Sequence, residues 1–271
     1  MIPFYQRSYS CQEKYSVCNR ALLFCIKQKF YAKLVAFCFI WFRIPGTIDE
    51  FPAKKSVSMK CVAVSDIHLK NVKTEEADLL LVAGDMTMMG TESQLEWYKD
   101  WLRSQPQKYK VWIAGNHDCG LESNPEKAYQ IARDTDSIYL DDSEIELDGV
   151  RIWGSPVQPE FHNWAFNRQR GHEINQHWKK IPENLDILLT HGPPFGHHDE
   201  VENEKVGCEE LLNTIKNILL HPPRYHIFGH IHEGYGRSLL EKEDGKKIEL
   251  INASSCDRRY QPVNPPIVFE V

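Results

Sequence analysis

Apolar positions along this 271-residue chain gather into short, dense runs separated by polar turns. Met59–Ser65 (MKCVAVS), Asp78–Ala83 (DLLLVA), Lys110–Ala114 (KVWIA), Val150–Trp153, Asp186–Thr190 (DILLT), Tyr225–Phe228 and Ile248–Ile251 are such runs. Short runs rich in Val, Ile and Leu predict strands buried on both faces. Between them the apolar spacing becomes helical. Ser93 with Glu96 forms a capping-box pattern ahead of Leu95, Tyr98 and Leu102, which predicts a helix start there. Glu209–Leu220 places Leu211, Leu212, Ile215, Ile218 and Leu219 on one helical face, and Pro222-Pro223 stops it. Strands alternating with helices predict an α/β fold with at least one largely parallel sheet.

The first 57 residues are chemically different. They hold nine Lys/Arg against three Asp/Glu, a net of +6, with twelve aromatics, four of the eight cysteines and no histidine. Cys11, Cys18 and Cys25 recur every seven residues, with Cys38 further on, and this spacing matches neither a zinc knuckle nor a disulfide framework. Residues 21–42 are long enough to cross a bilayer, but Lys27, Lys29 and Lys33 interrupt them and only Leu34–Phe42 is unbroken. Three lysines in mid-span disfavour a crossing helix. The stretch is expected to be part of a poorly ordered extension, with a basic, aromatic helix lying in a membrane interface as the alternative. Ile44-Pro45-Gly46 and Phe51-Pro52 break the chain, which places a domain boundary near Ser58. The expected organisation is therefore an N-terminal extension, 1–57, followed by one catalytic domain, 58–271. The expected location is cytoplasmic, with membrane association through 21–42 as the alternative.

Residues 58–271 carry 23 Lys/Arg against 35 Asp/Glu, a net of −12. That balance disfavours a long nucleic-acid partner, which binds through many cationic contacts. A small phosphorylated substrate remains open, because bound metal ions can neutralise its charge.

The candidate chemistry lies where the strands stop. The first runs into Asp66-Ile67-His68, the second into Gly84-Asp85, and the third into Gly115-Asn116-His117-Asp118. The strand at Asp186–Thr190 ends at His191-Gly192, and the next ends at Gly229-His230-Ile231-His232. Ligands of open α/β sheets bind outside the carboxyl ends of strands, so these five ends can converge on one crevice. Apart from His117 they offer two carboxylates, one amide oxygen and four imidazoles, enough for two divalent ions sharing one carboxylate. No thiolate is offered, which favours Mn²⁺, Fe²⁺ or Zn²⁺ over a soft metal. Two such ions clamp both oxygens of an in-line phosphoryl displacement and acidify a bridging water.

In this order and combination, the motifs resemble the calcineurin-like metallophosphoesterase superfamily. THGPP, VGCEELLNT, HIFGHIHEGYG, INASSC and the tail QPVNPPIVFEV resemble its metallophosphoesterase domain-containing (MPPED) phosphodiesterases, as does the 16-residue gap between His68 and Asp85. The resemblance covers residues 58–271. It implies two facing β-sheets flanked by helices. It also implies roles: Asp66, His68, Asp85 and His232 on a first metal, with Asp85 bridging to Asn116, His191 and His230 on a second. His117 would protonate the leaving alcohol, with Asp118 orienting it. One departure is Met88, where many members carry an acidic residue or Asn three positions after the bridging aspartate.

The expected activity is metal-dependent hydrolysis of a small phosphodiester, a cyclic nucleotide by resemblance. The alternative is a catalytically weak scaffold that keeps the site as a phosphate or nucleotide pocket. Gly84–Gly90 (GDMTMMG) has neither the arginine of a protein phosphatase nor the tyrosine of a purple acid phosphatase. His197-His198 are candidates for the pocket mouth. Trp164, Phe166 and Asn167 are candidates for a nucleobase contact or for a packed insertion. Cys119 is expected to be a neighbour of the catalytic loop, and His162, His172, His177 and His221 to be surface or core residues.

Overall fold

The computed structural model describes residues 58–271. The expectations for 1–57, including the interfacial helix at 21–42, lie outside the described residues. Among those described, no helix is long and apolar enough to cross a membrane.

The principal strands are β1 (Lys60–Val64), β2 (Leu79–Ala83), β3 (Tyr109–Ile113), β4 (Ile138–Tyr139), β5 (Ser143–Leu147), β6 (Val150–Ser155), β7 (Ile187–Thr190), β8 (Tyr225–Phe228), β9 (Gly236–Glu241), β10 (Lys247–Asn252) and β11 (Ile267–Glu270). One sheet has the order β11-β1-β2-β3-β4, in which β1 to β4 are parallel and β11 runs antiparallel on the edge. The other has the order β9-β10-β8-β7-β6-β5, with four parallel central strands and an antiparallel strand at each edge.

Period-two alternation divides each strand between two cores. Cys61, Ala63, Leu79, Leu81, Val111 and Ile113 of the first sheet meet Ile152, Ile187, Leu189, Ile227 and Ile251 of the second. The opposite face of the first sheet, with Val62, Leu80, Val82 and Trp112, is covered by Leu95, Tyr98, Trp101 and Leu102 of α1 (Glu92–Ser104). The helices α2 (Cys119–Ser123) and α3 (Pro125–Asp134) add Leu121, Ala128 and Ile131. The outer face of the second sheet, with Trp153, Leu188, Phe228 and Leu250, receives α4 (His172–Trp178) and α5 (Glu209–Asn213) through Ile174, Trp178 and Leu211. The result is four layers, helix–sheet–sheet–helix, as the resemblance implies. Full burial of one aliphatic side chain contributes roughly 1.5–3 kcal/mol, so all three apolar layers contribute substantially to stability.

Two local expectations change. The helix expected from Ser93 starts at Glu92 with Thr91 as its cap residue, so Ser93 is already inside it, and Thr91 caps no amide with its side chain. Gln94 anchors this end instead, its Oε1 accepting from the amides of Met88 (3.3 Å) and Met89 (2.9 Å). The helix expected over Glu209–Leu220 is regular only to Asn213 and then widens into a π-turn, Thr214–Ile218. The ammonium of Lys242, itself buried, donates to the carbonyls of Ile215, Lys216 and Leu219 and holds the widened turn. The extra residue shifts the phase, and Ile218 points outward at 53% exposure while Ile215 stays buried.

Candidate metal centre

The parallel strands of both sheets end at one rim, and sharp turns there aim polar side chains inward. Asp66 (φ 50°), His68 (φ 41°), Asp85 (φ 55°) and His230 (φ 67°) all adopt left-handed backbone. Each such residue costs about 1–2 kcal/mol and persists only where its surroundings fix it. Here the fixing comes from bonds between neighbouring strand ends: the amide of Asp66 donates to the Gly84 carbonyl (3.0 Å), and that of His68 to the Asp85 carbonyl (3.2 Å). Two glycines are required by close approach. A Cβ on Gly115 would lie 2.3 Å from Asp85 Oδ1, and one on Gly229 would lie 2.2 Å from Asp66 Oδ2.

All seven candidate ligands converge. On one side, His68 Nε2 lies 3.3 Å from His232 Nε2 and 3.9 Å from Asp85 Oδ2, and His232 Nε2 lies 3.5 Å from Asp66 Oδ1. On the other, His191 Nε2 lies 3.4 Å from Asp85 Oδ1 and 2.9 Å from Asn116 Oδ1, which is 2.7 Å from His230 Nδ1. Asp66, His68 and His232 form one compact group able to hold an ion, Asp66, Asp85 and His191 another, and His68, Asp85 and His117 a third. Three rings are fixed from behind. His68 Nδ1 donates to the Thr87 carbonyl (3.1 Å), His191 Nδ1 to that of Ala83 (2.8 Å), and His232 Nδ1 to that of Asp257 (2.9 Å). A carbonyl only accepts, so these bonds place the lone pair of each ring on Nε2, towards the cluster.

Asp66 supplies a direct test of fit. Its Oδ2 accepts from the Ser254 hydroxyl (2.7 Å) and the His230 amide (2.9 Å), while its buried Oδ1 has no hydrogen-bond partner. An orphaned carboxylate oxygen facing imidazole nitrogens is a donor set that suits a divalent cation. The electrostatics agree. Burial opposes charge on Asp66 and Asp85, yet His232 beside the first and His191 beside the second outweigh it, holding Asp85 at about 2 and Asp66 lower still. Burial likewise opposes charge on His191 and His232, but Asp85 and Asp66 respectively push them up to about 9. Carboxylates that hold protons on imidazoles this firmly would hold a metal ion in place of those protons.

His117 stands beside this set. Its amide donates to Asp85 Oδ1 (2.8 Å) and its Nδ1 to the Met88 carbonyl (3.0 Å), which leaves Nε2 for the cleft. Trp164 packs on the ring at 4.3 Å between centroids. The Asp118 carboxylate, expected to orient His117, makes no hydrogen bond to its ring among the described residues. It accepts from the amides of Gly115 (2.9 Å), Asp85 (3.0 Å) and Thr87 (3.0 Å) and from the Thr87 hydroxyl (2.8 Å). It clamps the loops after β2 and β3 together, and the main chain of Met88 does the orienting. Burial, then the charge of Asp85, raises the Asp118 carboxyl to about 6 despite those bonds.

A cleft of about 550 Å³ opens from the centre, walled by Phe161, His162, Trp164, Arg170, Arg258 and Tyr260. His162 is exposed, as expected, and it stands at the wall of the cleft. Phe166 is buried in the helix-side core, and Asn167 donates to the carbonyls of Phe161 (3.0 Å) and His162 (3.2 Å), so only Trp164 of that trio faces the cleft. His198 is a strut, with Nδ1 donating to the Gly234 carbonyl (2.6 Å) and Nε2 meeting the Ser238 hydroxyl (2.9 Å). Cys119 Sγ rests 3.4 Å from the Asn116 carbonyl, a neighbour as expected. Ser254 and Tyr260 carry no individual signal in the sequence, because each lies in an ordinary polar stretch whose contacts form only across the fold.

A four-layer sandwich with Asp, His and Asn ligand sets at its strand ends defines a metal-dependent phosphoester hydrolase. The family model described as calcineurin-like phosphoesterase matches residues 59–234, and the chain belongs to that family and, within it, to the metallophosphoesterase domain-containing group. It is 42% identical over 236 residues to the human metallophosphoesterase domain-containing protein 1, covering 78% of this chain and 70% of that protein. A probable cyclic nucleotide phosphodiesterase of Synechococcus is 26% identical over 62% of this chain and 64% of its own. One crystal structure shares the fold at a TM-score of 0.52 and 16% identity, covering 72% of this chain and 90% of its own.

Proposed function

We propose that this phosphoesterase hydrolyses small phosphodiesters, cyclic nucleotides among them, at a centre of two divalent cations drawn from Mn²⁺, Fe²⁺ and Zn²⁺. Asp66, His68, Asp85 and His232 would hold one ion, and Asp85, Asn116, His191 and His230 the other. The observation that carries this is Asp85, whose two oxygens face opposite groups, Oδ2 towards His68 at 3.9 Å and Oδ1 towards His191 at 3.4 Å. When bound, the ions supply charge neutralisation and an acidified water. His117 Nε2 gives its proton to the leaving oxygen as the P–O bond breaks, while Met88 keeps the other ring nitrogen protonated and the ring in place. Trp164 and Phe161 supply flat apolar surface beside the reacting group, which suits a nucleoside better than a bare alkyl ester. The printed name of the Synechococcus relative supports the cyclic-nucleotide reading.

The test is hydrolysis of bis-p-nitrophenyl phosphate with Mn²⁺ by the full chain and by Asp85→Ala, with elemental analysis of both. The substitution is expected to abolish turnover and lower metal content at both positions, since one carboxylate is shared. A full metal complement in the variant would refute the bridging role. An inactive wild type that still binds nucleotide would favour the scaffold.

A further inference from the structure

Tyr260 stands over the centre in a conformation that backbone economy does not explain. Its φ is 56°, a region that Gly or Asn enters more cheaply than a bulky aromatic. The surrounding turn enforces it. Asp257 Oδ1 accepts from the amides of Arg259 (2.8 Å) and Gln261 (2.9 Å), and the Asp257 carbonyl accepts from the Tyr260 amide at 2.9 Å. That same carbonyl accepts from His232 Nδ1, so one atom seats both a candidate metal ligand and the tyrosine. The phenol ring then meets three imidazoles nearly at right angles: His68 at 4.7 Å and 86°, His232 at 5.5 Å and 90°, His117 at 6.0 Å and 78°. Tyr260 lines the cleft, and no hydrogen bond to a described residue occupies its hydroxyl. A phenol hydroxyl can both donate and accept, and beside an anionic oxygen it donates.

We infer that Tyr260 is a phosphate-contacting residue, its hydroxyl donating to a non-bridging oxygen of the phosphoryl group held at this centre. The inference rests on the centre being phosphoryl-binding, as proposed above. The strand-end residues surround the phosphoryl group from below with ligands and from one side with His117, and Tyr260 adds a neutral donor from the β10 side. A proton donor there balances charge without competing for the cations, and a phenol with two side-chain torsions loses little freedom on binding.

The experiment uses the full-length protein loaded with Mn²⁺, as wild type and as Tyr260→Phe, which keeps the ring and its contacts. Calorimetric titration with inorganic phosphate is the primary readout, alongside manganese content and thermal midpoint. The expected result is a roughly 10- to 100-fold loss of phosphate affinity, as for a hydrogen bond to a charged acceptor, with metal content and midpoint unchanged. Phosphate affinity equal to wild type in Tyr260→Phe overturns the inference, and so does loss of manganese, which would make the phenol part of the metal-holding set. Absence of measurable phosphate binding by the wild type overturns it as well. Diester hydrolysis separates the two proposals. An inactive protein with Tyr260-dependent phosphate binding keeps the contact and removes the hydrolase, whereas an active one with unchanged binding in the variant does the reverse.

Discussion

His117 keeps one nitrogen on a main-chain carbonyl and leaves the other for the cleft, so its two possible roles, ligand and acid, separate in one substitution. His117→Ala should leave metal content near wild type while turnover falls about 10²–10⁴-fold, typical of a general acid. The loss should shrink for p-nitrophenolate, which leaves without a proton, and grow for an alkoxide. Comparing the two substrate classes checks this, and loss of metal would replace the acid role with a ligand role. A second histidine matters for stability instead. His226 is fully buried, its Nε2 donates to Thr190 Oγ1 (2.8 Å), and its Nδ1 has no partner. Burial, then the nearby charge of His197, lowers it to about 3. Unfolded, the ring titrates near 6.5, so between about 6.5 and 3 the unfolded chain binds one proton more than the native one. Stability therefore falls with acidification across that window, by about 1.4 kcal/mol per pH unit from this ring. His226→Gln keeps a donor for Thr190 and cannot titrate, so its denaturant midpoint should decline less steeply from pH 6.5 to 4.5 than that of the wild type.

Among the elements, the central parallel strands were legible because burial on both faces leaves unbroken apolar runs, as in β2 (LLLVA). Their carboxyl ends were legible for the same reason, since Asp66, Asp85, Asn116 and His191 each interrupt such a run at once. The edge strands were not. β5 (SEIEL) and β9 (GRSLLE) are half exposed and carry charges, so neither forms an unbroken apolar run, and β4 has only two residues. Nor could periodicity show the π-turn, because the cause is Lys242, 24 positions beyond Ile218 and on another element. The functions of Met88 and Asp118 were hidden for a related reason: one acts through its main chain, the other through amides of two different loops. Lys242→Met tests the π-turn. Removing the ammonium strands buried carbonyls of Ile215 and Leu219, at a cost of roughly 1–3 kcal/mol for an unsatisfied group. The midpoint in urea should fall accordingly, with diester turnover unchanged. No fall would mean that apolar packing alone holds the turn.

At the scale of the whole molecule, the described chain closes on itself. The Met59 amide donates to the Val271 carbonyl (3.2 Å) and the Val271 amide returns the bond (3.1 Å), pinning β1 beside β11. Every residue of the site lies between those ends. A protein beginning at Ser58 should therefore match the full chain in turnover and thermal midpoint, and a large drop in either would move the domain boundary upstream.

The position of the centre, with Asp66, His68, Asp85 and Asn116 carried by one sheet and His191, His230 and His232 by the other, has a mechanical meaning. The ligand set works as a caliper laid across the seam of the sandwich. Sliding one sheet past the other by a fraction of an ångström leaves every strand pairing intact but opens the jaws. Leu81 and Ile227 pack deep in that seam, so on the proposed assignment their packing would bear on ion affinity without touching a ligand. On the proposed assignment, a flaw in the hydrophobic interior is expected to weaken the grip on metal before it unfolds the chain.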